Sequence, residues 1–350
     1  MPRKLYLDWL RGIAVIIMVA AHVTDAWTRM EDRQRDLYGY TVFIAGFAAP
    51  LFLFLAGLTL TLAASSRAET IGHAAAARQA RLRALQILAL AFVFRLQSQL
   101  LGWGPWINFF KVDILNVMGV AMFGAALLWS LSTTRTVRIM LFAIATGVIA
   151  MSTPLVRDAA FLAALPDVIE AYLRPLPGRT TFALFPWAAF LIGGTIAGEL
   201  IVAAKNEREE RRLQWGLLAA GVFGFVSAYW LSFRPSIYAN ANFWTSSPTF
   251  FFIRLGLNTF LLPLAWSIER YAGVVITTLG RSSLFVYWVH VEMVYGVSGR
   301  PLRQLLPVEL SLLATVSLCG LLYLLVKWKD RKMRGVTLTG PFRILAPVLK

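Results

Sequence analysis

Long apolar stretches, separated by short polar loops, repeat along the whole chain. At about 20 residues per bilayer crossing, the pattern predicts spans near 7–27, 41–64, 85–103, 113–131, 139–156, 181–204, 215–233, 249–268, 274–296 and 309–327. Breaker chemistry marks the loops between them, as in RPLPGR at 174–179 and SSP at 246–248. The predicted fold is all-α: a polytopic integral membrane helix bundle of about ten transmembrane helices. Residues 1–350 read as a single transmembrane domain, with a basic tail over 329–350.

Within the first span, LDWLRGIAVIIMVAAHVTDAW at 7–27, polar groups interrupt the apolar pattern in register. Asp8, Arg11, Val15, Met18, His22 and Asp25 are spaced by three and four, which makes one stripe on a helix. Arg11 and His22 stand eleven residues apart, roughly 16 Å along the axis. Ionisable groups inside a span are costly and face protein or a water-filled cavity. The stripe therefore predicts one wet, reactive side. Asp8, Arg11, His22 and Asp25 also break what would be a signal peptide, so the segment reads as an uncleaved span.

Composition agrees with a membrane protein. The chain is 58% hydrophobic and 15% charged, against about 25% charged in soluble domains. Its net charge of +16 lies in loops rather than in one stripe, which excludes nucleic acid as the expected partner. Of the 34 Lys and Arg, 22 fall on the side that carries both termini, and the positive-inside rule makes that side cytoplasmic. The lone Cys319 permits no intrachain disulfide and no cysteine-based metal site, and no metal is expected. Tryptophans at span ends (Trp27, Trp103, Trp106, Trp215, Trp244, Trp328) read as interfacial belts. Pro50, Pro186 and Pro263 read as kinks, and His73 as part of an amphipathic cytoplasmic helix.

On this topology His22, Asp25, Asp113, Asn116, Arg254, Asn258, His290 and Glu292 share the outer half, Tyr287 lies on the ninth span as it runs outward, and Arg11 and Arg281 lie at the inner mouth. A carboxylate one turn from an imidazole orients it for general-base work, which singles out His22 and Asp25. Arg11 and Arg281 suit phosphates, and Ser282 opens an apolar span with hydroxyl and backbone donors. Asn116, Asn258, Arg254 and Tyr287 are candidate donors to a developing oxyanion.

The arginine, ten intervening residues and a histidine in LDWLRGIAVIIMVAAH resemble the signature of membrane acyltransferases. The string is similar to the start of bacterial relatives in the heparan-α-glucosaminide N-acetyltransferase family. FAAPLFLFLAGLTLTLAASSR, DILNVMGVA and FPWAAFLIGGTIAGE resemble that family's later landmarks, with the likeness strongest over 5–200. LGRSSLFVYWVH at 279–290 resembles a segment of related acyltransferases. The resemblance implies transfer of an acetyl or other acyl group from cytoplasmic acyl-CoA to a sugar-like acceptor outside, a glycan or amino sugar. Acyl-CoA would be a co-substrate, with no permanently bound cofactor. Arg11 and His22 match the motif, and Asp113 and His290 follow as weaker correspondences. A bacterial inner membrane is the expected location. Two rivals remain open: a proton-coupled transporter, and a haem carrier with His22 and His290 as axial ligands.

Overall fold

The computed structural model describes residues 3–102, 106–336 and 340–349, the side chains at 341–343 excepted; Trp103 lies outside the described residues. Fourteen α-helices run through them: α1 Leu5–Trp27, α2 Asp36–Ala45, α3 Ala48–Ile71, α4 His73–Gly102, α5 Ile114–Ser130, α6 Arg135–Asp158, α7 Asp167–Leu173, α8 Leu184–Ala203, α9 Glu207–Ser232, α10 Pro248–Ser267, α11 Val274–Arg281, α12 Ser283–Tyr295, α13 Val308–Lys332 and α14 Ala346–Leu349. Among the described residues, eight segments are long and apolar enough to cross a membrane, with α2 and α3 counted together. A ninth, α11 with α12, is bent by 87° at Ser282, and α5 is a shorter apolar helix. The fold is thus the expected all-α polytopic membrane bundle. The predicted ninth span, however, is broken, and the predicted fourth is 17 residues long.

Two compact units emerge. A terminal unit holds Arg3–Phe52, Val93–Trp106 and Ile268–Lys350, and a central unit holds Leu53–Phe92 and Ile107–Ser267. In the terminal unit α1 packs on α2, α11, α12 and α13. A Cβ built on Gly280 would lie 1.9 Å from the Asp8 carbonyl oxygen, and one on Gly12 would lie 2.0 Å from that of Ile276. Only hydrogen fits at these positions, so α1 and α11 touch backbone to backbone, the small-residue contact typical of membrane helices.

Beyond Trp27, the chain is tied to the start of α13. Arg29 N donates to Leu306 O at 2.9 Å, and Thr28 Oγ1 to Ser311 Oγ at 2.9 Å. Asp32 Oδ2 accepts the Val308 backbone N–H at 3.0 Å, capping α13 from a distant segment. The Arg29 guanidinium, hydrogen-bonded to it, holds the Asp32 carboxyl below the ordinary carboxylate range. The cap is therefore at full strength above that range and is lost as pH falls through the lowered value.

The central unit is knit by α9 on α10 and α6 on α8. Its best-built polar contact is a buried ion pair. Arg138 Nε and Nη2 donate to Glu199 Oε1 and Oε2 at 2.7 and 2.8 Å. Arg138 Nη1 donates to Thr133 O at 2.9 Å and Ser132 O at 3.3 Å, and the guanidinium lies 5.1 Å from the centroid of the Trp129 ring.

Several expectations are corrected here. His73 opens α4 itself, after a turn at Gly72 with φ +82°, and belongs to no separate surface helix. At 30 residues α4 is about 45 Å long, well over the roughly 30 Å of the hydrocarbon core. Pro50 sits in the first turn of α3, where proline is tolerated without a kink, because α2 and α3 are separate helices. Trp27 is buried, its Nε1 donating to Val294 O at 3.2 Å, whereas Trp106, Trp215, Trp244 and Trp328 are exposed as belt residues would be. Val15 and Met18 are also buried, so the stripe on α1 has polar ends and a packed apolar middle rather than one wet side.

Candidate active site

His22 and Asp25 share a face of the last turns of α1 because they are three residues apart. From α12, His290 meets this face: His22 Nδ1 and His290 Nε2 lie 2.8 Å apart, with the rings 10° from parallel. His290 is fully buried, and its Nδ1 is 2.7 Å from the Val286 carbonyl oxygen. A carbonyl has no proton to offer, so His290 Nδ1 must carry one and donate it. Neutral His290 then presents a lone pair at Nε2, to which His22 Nδ1–H donates. The remaining lone pair of His22 sits on Nε2, which makes no hydrogen bond among the described residues. A chain of backbone carbonyl and two imidazoles thus fixes which nitrogen of His22 is basic.

The expected partner of His22 was Asp25. Its carboxylate instead accepts the Tyr295 hydroxyl at 2.8 Å, while the Tyr295 ring stands edge-on to His22 at 5.4 Å. The helix spacing that brings Asp25 near His22 is real, but orientation of the ring comes from α12. Tyr287 is buried and edge-on to His290 at 5.9 Å. Glu292 lies elsewhere on α12, where Ser98 Oγ donates to it, next to a Trp288 Nε1 bond to Gln97 Oε1 at 2.8 Å.

At the other end of α1, Asp8 is buried and accepts Arg3 Nε at 2.6 Å and Nη2 at 3.1 Å. Arg11 Nη1 is 3.8 Å from Asp8 Oδ1, too far for a hydrogen bond. The guanidinium makes none among the described residues, though its side chain is only 23% exposed. Ser282 occupies the break between α11 and α12, and its Oγ accepts Lys329 Nζ at 3.1 Å. Lys329 is buried, lies 5.2 Å from the Phe285 ring centroid and pairs with Asp330 at 3.1 Å. Arg281 beside the break is exposed, with one long contact to Thr278 Oγ1 at 3.4 Å.

The remaining candidates belong to the central unit. Asp113 and Asn116 form a capping box at the start of α5: Asp113 Oδ1 accepts Leu115 N at 3.0 Å, and Asn116 Oδ1 accepts Asp113 N at 3.2 Å. Asn116 Nδ2 donates to Tyr172 Oη at 3.1 Å. These groups hold a helix end. Arg254 lies over the Phe250 ring at 3.9 Å, and Asn258 Nδ2 is buried without a hydrogen-bond partner among the described residues. Sequence reasoning missed Tyr295, Lys329 and the Arg138–Glu199 pair. Glu199 is the only acid in α8, and that isolation inside a span was the signal.

Residues 3–233 match the family described as heparan-alpha-glucosaminide N-acetyltransferase, catalytic. The chain belongs to this family. The match takes in Arg11, His22, Asp25, Asp113 and Asn116, and ends before Arg254, Asn258, Arg281, Ser282, Tyr287 and His290. Comparison with curated proteins found no match. Membership in a membrane acetyltransferase family fits an integral, multi-pass helix bundle.

Proposed function

We propose that the protein moves an acetyl or related acyl group from cytoplasmic acyl-CoA to an amine or hydroxyl of a sugar-like acceptor on the opposite face of a plasma membrane. The observation that carries this reading is the hydrogen-bonded chain Val286–His290–His22, which leaves a lone pair on His22 Nε2. In direct transfer, His22 Nε2 takes the proton from the acceptor N–H or O–H as its heteroatom attacks the thioester carbonyl. The carbon–sulfur bond breaks, and the CoA thiolate leaves and takes up a proton. If His22 carries the acyl group, the same nitrogen forms and then loses an acyl bond. A haem held by both histidines is disfavoured. Metal–imidazole bonds of about 2 Å each would put the two nitrogens about 4 Å apart, whereas these are 2.8 Å apart and bonded to each other. The deciding experiment is acetylation of amino-sugar acceptors by purified protein in liposomes, dependent on acetyl-CoA. Movement of solute without acyl transfer would favour the transporter.

Arg11 supports the donor side of this reading. Arg11 stands 3.8 Å from Asp8 and makes no hydrogen bond among the described residues, which leaves its fork free to take a phosphate bidentately. Arg11→Lys is expected to raise the Michaelis constant for acyl-CoA several-fold and leave insertion intact. An unchanged constant would return Arg11 to a structural role. The sidedness has its own check. Single cysteines at 205–212 should be labelled only from the cytoplasm, and those at 160–178 only from outside; external labelling of 205–212 in intact cells would reverse the topology.

A further inference from the structure

Beside the His22 ring, at the end of α1, the structure gathers hydrogen-bond acceptors. Tyr295 has committed its proton to Asp25 Oδ2, leaving only lone pairs on its oxygen. Asp25 Oδ1 makes no hydrogen bond among the described residues, and the side chain is exposed at the end of α1. His22 Nε2 is itself an acceptor, because its Nδ1 holds the proton. The nearby Arg33 donates to the backbone carbonyls of Asp25 and Thr28 rather than to the Asp25 carboxylate. The carboxylate and phenol thus form an accessible pair beside the His22 ring, against which the Tyr295 ring stands edge-on at 5.4 Å, and no described cation pairs with the carboxylate. A structural tie between α1 and α12 would not need this exposure, since His290 and Trp27 already provide buried ones.

We propose that Asp25 and Tyr295 form a specificity-determining subsite for the acceptor. It holds a second hydroxyl or ammonium group of the molecule whose first such group meets His22 Nε2. The inference rests on the reading of His22 given above. The class of acceptor it selects carries at least two neighbouring N–H or O–H donors, and an isolated amine or alcohol is a poor ligand. Hydrogen bonds to a charged group are worth about 1.5–3 kcal/mol, which corresponds to roughly 10–100-fold in affinity.

The test is titration calorimetry on the purified full-length protein, with glucosamine and cyclohexylamine as probes and CoA as a control. Wild type should bind glucosamine at least tenfold more tightly than cyclohexylamine. Asp25→Asn, which puts an N–H where an acceptor stood, and Tyr295→Phe should each remove most of that preference and leave CoA affinity unchanged. Both changes are conservative and at exposed side chains, and unaltered CoA binding shows that the variants are folded. An equal preference in wild type and variants overturns the subsite, as does wild type that binds neither probe or does not discriminate. If the preference is present and falls as expected but acetyl-CoA acetylates nothing, the acyltransferase reading fails and the subsite stands.

Discussion

His22→Gln is expected to lower turnover by about 10²–10⁴-fold if the imidazole acts only as general base, and further if it carries the acyl group. Glutamine has a side-chain N–H that can still donate to His290 Nε2, so the contact between α1 and α12 survives and the variant should fold. It has no comparably basic nitrogen to replace Nε2. Acyl-CoA affinity should be unchanged, because Arg11 lies roughly 16 Å away along the helix. Wild-type turnover should also fall on the acid side, since an imidazolium has no lone pair. The measurement is turnover beside donor binding on the same preparation. Near-normal turnover in a well-folded His22→Gln protein would remove His22 from the mechanism and direct attention to His290.

Glu199→Ala should be the most destabilising of the substitutions considered. It leaves Arg138, buried and only 7% exposed at its side chain, without its bidentate carboxylate. Removing one partner of a buried pair costs about 3–5 kcal/mol, because the other charge stays desolvated. The unfolding temperature in detergent should drop sharply. Replacing both residues together, as Arg138→Met with Glu199→Leu, should recover much of the loss, since two apolar side chains leave no buried charge. A Glu199→Ala protein that melts with wild type would show that the pair contributes little.

The helical membrane fold was legible because span length and loop charge are written in composition, and each predicted stretch does contain helix. The break at Ser282 was not. RSSLFVYWVH at 281–290 reads as continuous helix, and nothing in it marks the backbone-to-backbone packing of α11 on α1 at Gly12 and Gly280 that accompanies the bend. At the site, His22 and its stripe could be read from spacing alone. The identity of its hydrogen-bond partner could not, because periodicity sees one helix at a time. Asp25 was the near neighbour in sequence, whereas His290 is the neighbour in space, 268 residues away. Asp113 and Asn116 show what spacing alone does not reveal, polar residues in an apolar context that form the capping box of a helix.

The packed middle of α1 has an electrical consequence. Val15 and Met18 are buried between the charged end at Asp8 and Arg11 and the histidine end, so this stretch of α1 is packed against protein and offers no charge or wet path between them. Moving an elementary charge through a membrane potential changes its energy by about 2.3 kcal/mol per 100 mV. A donor whose phosphates stay at Arg11 while its acyl group reaches His22, and whose thiolate takes the proton from His22 before it withdraws, sends only neutral atoms past this stretch. Acylation across the bilayer would then be indifferent to voltage.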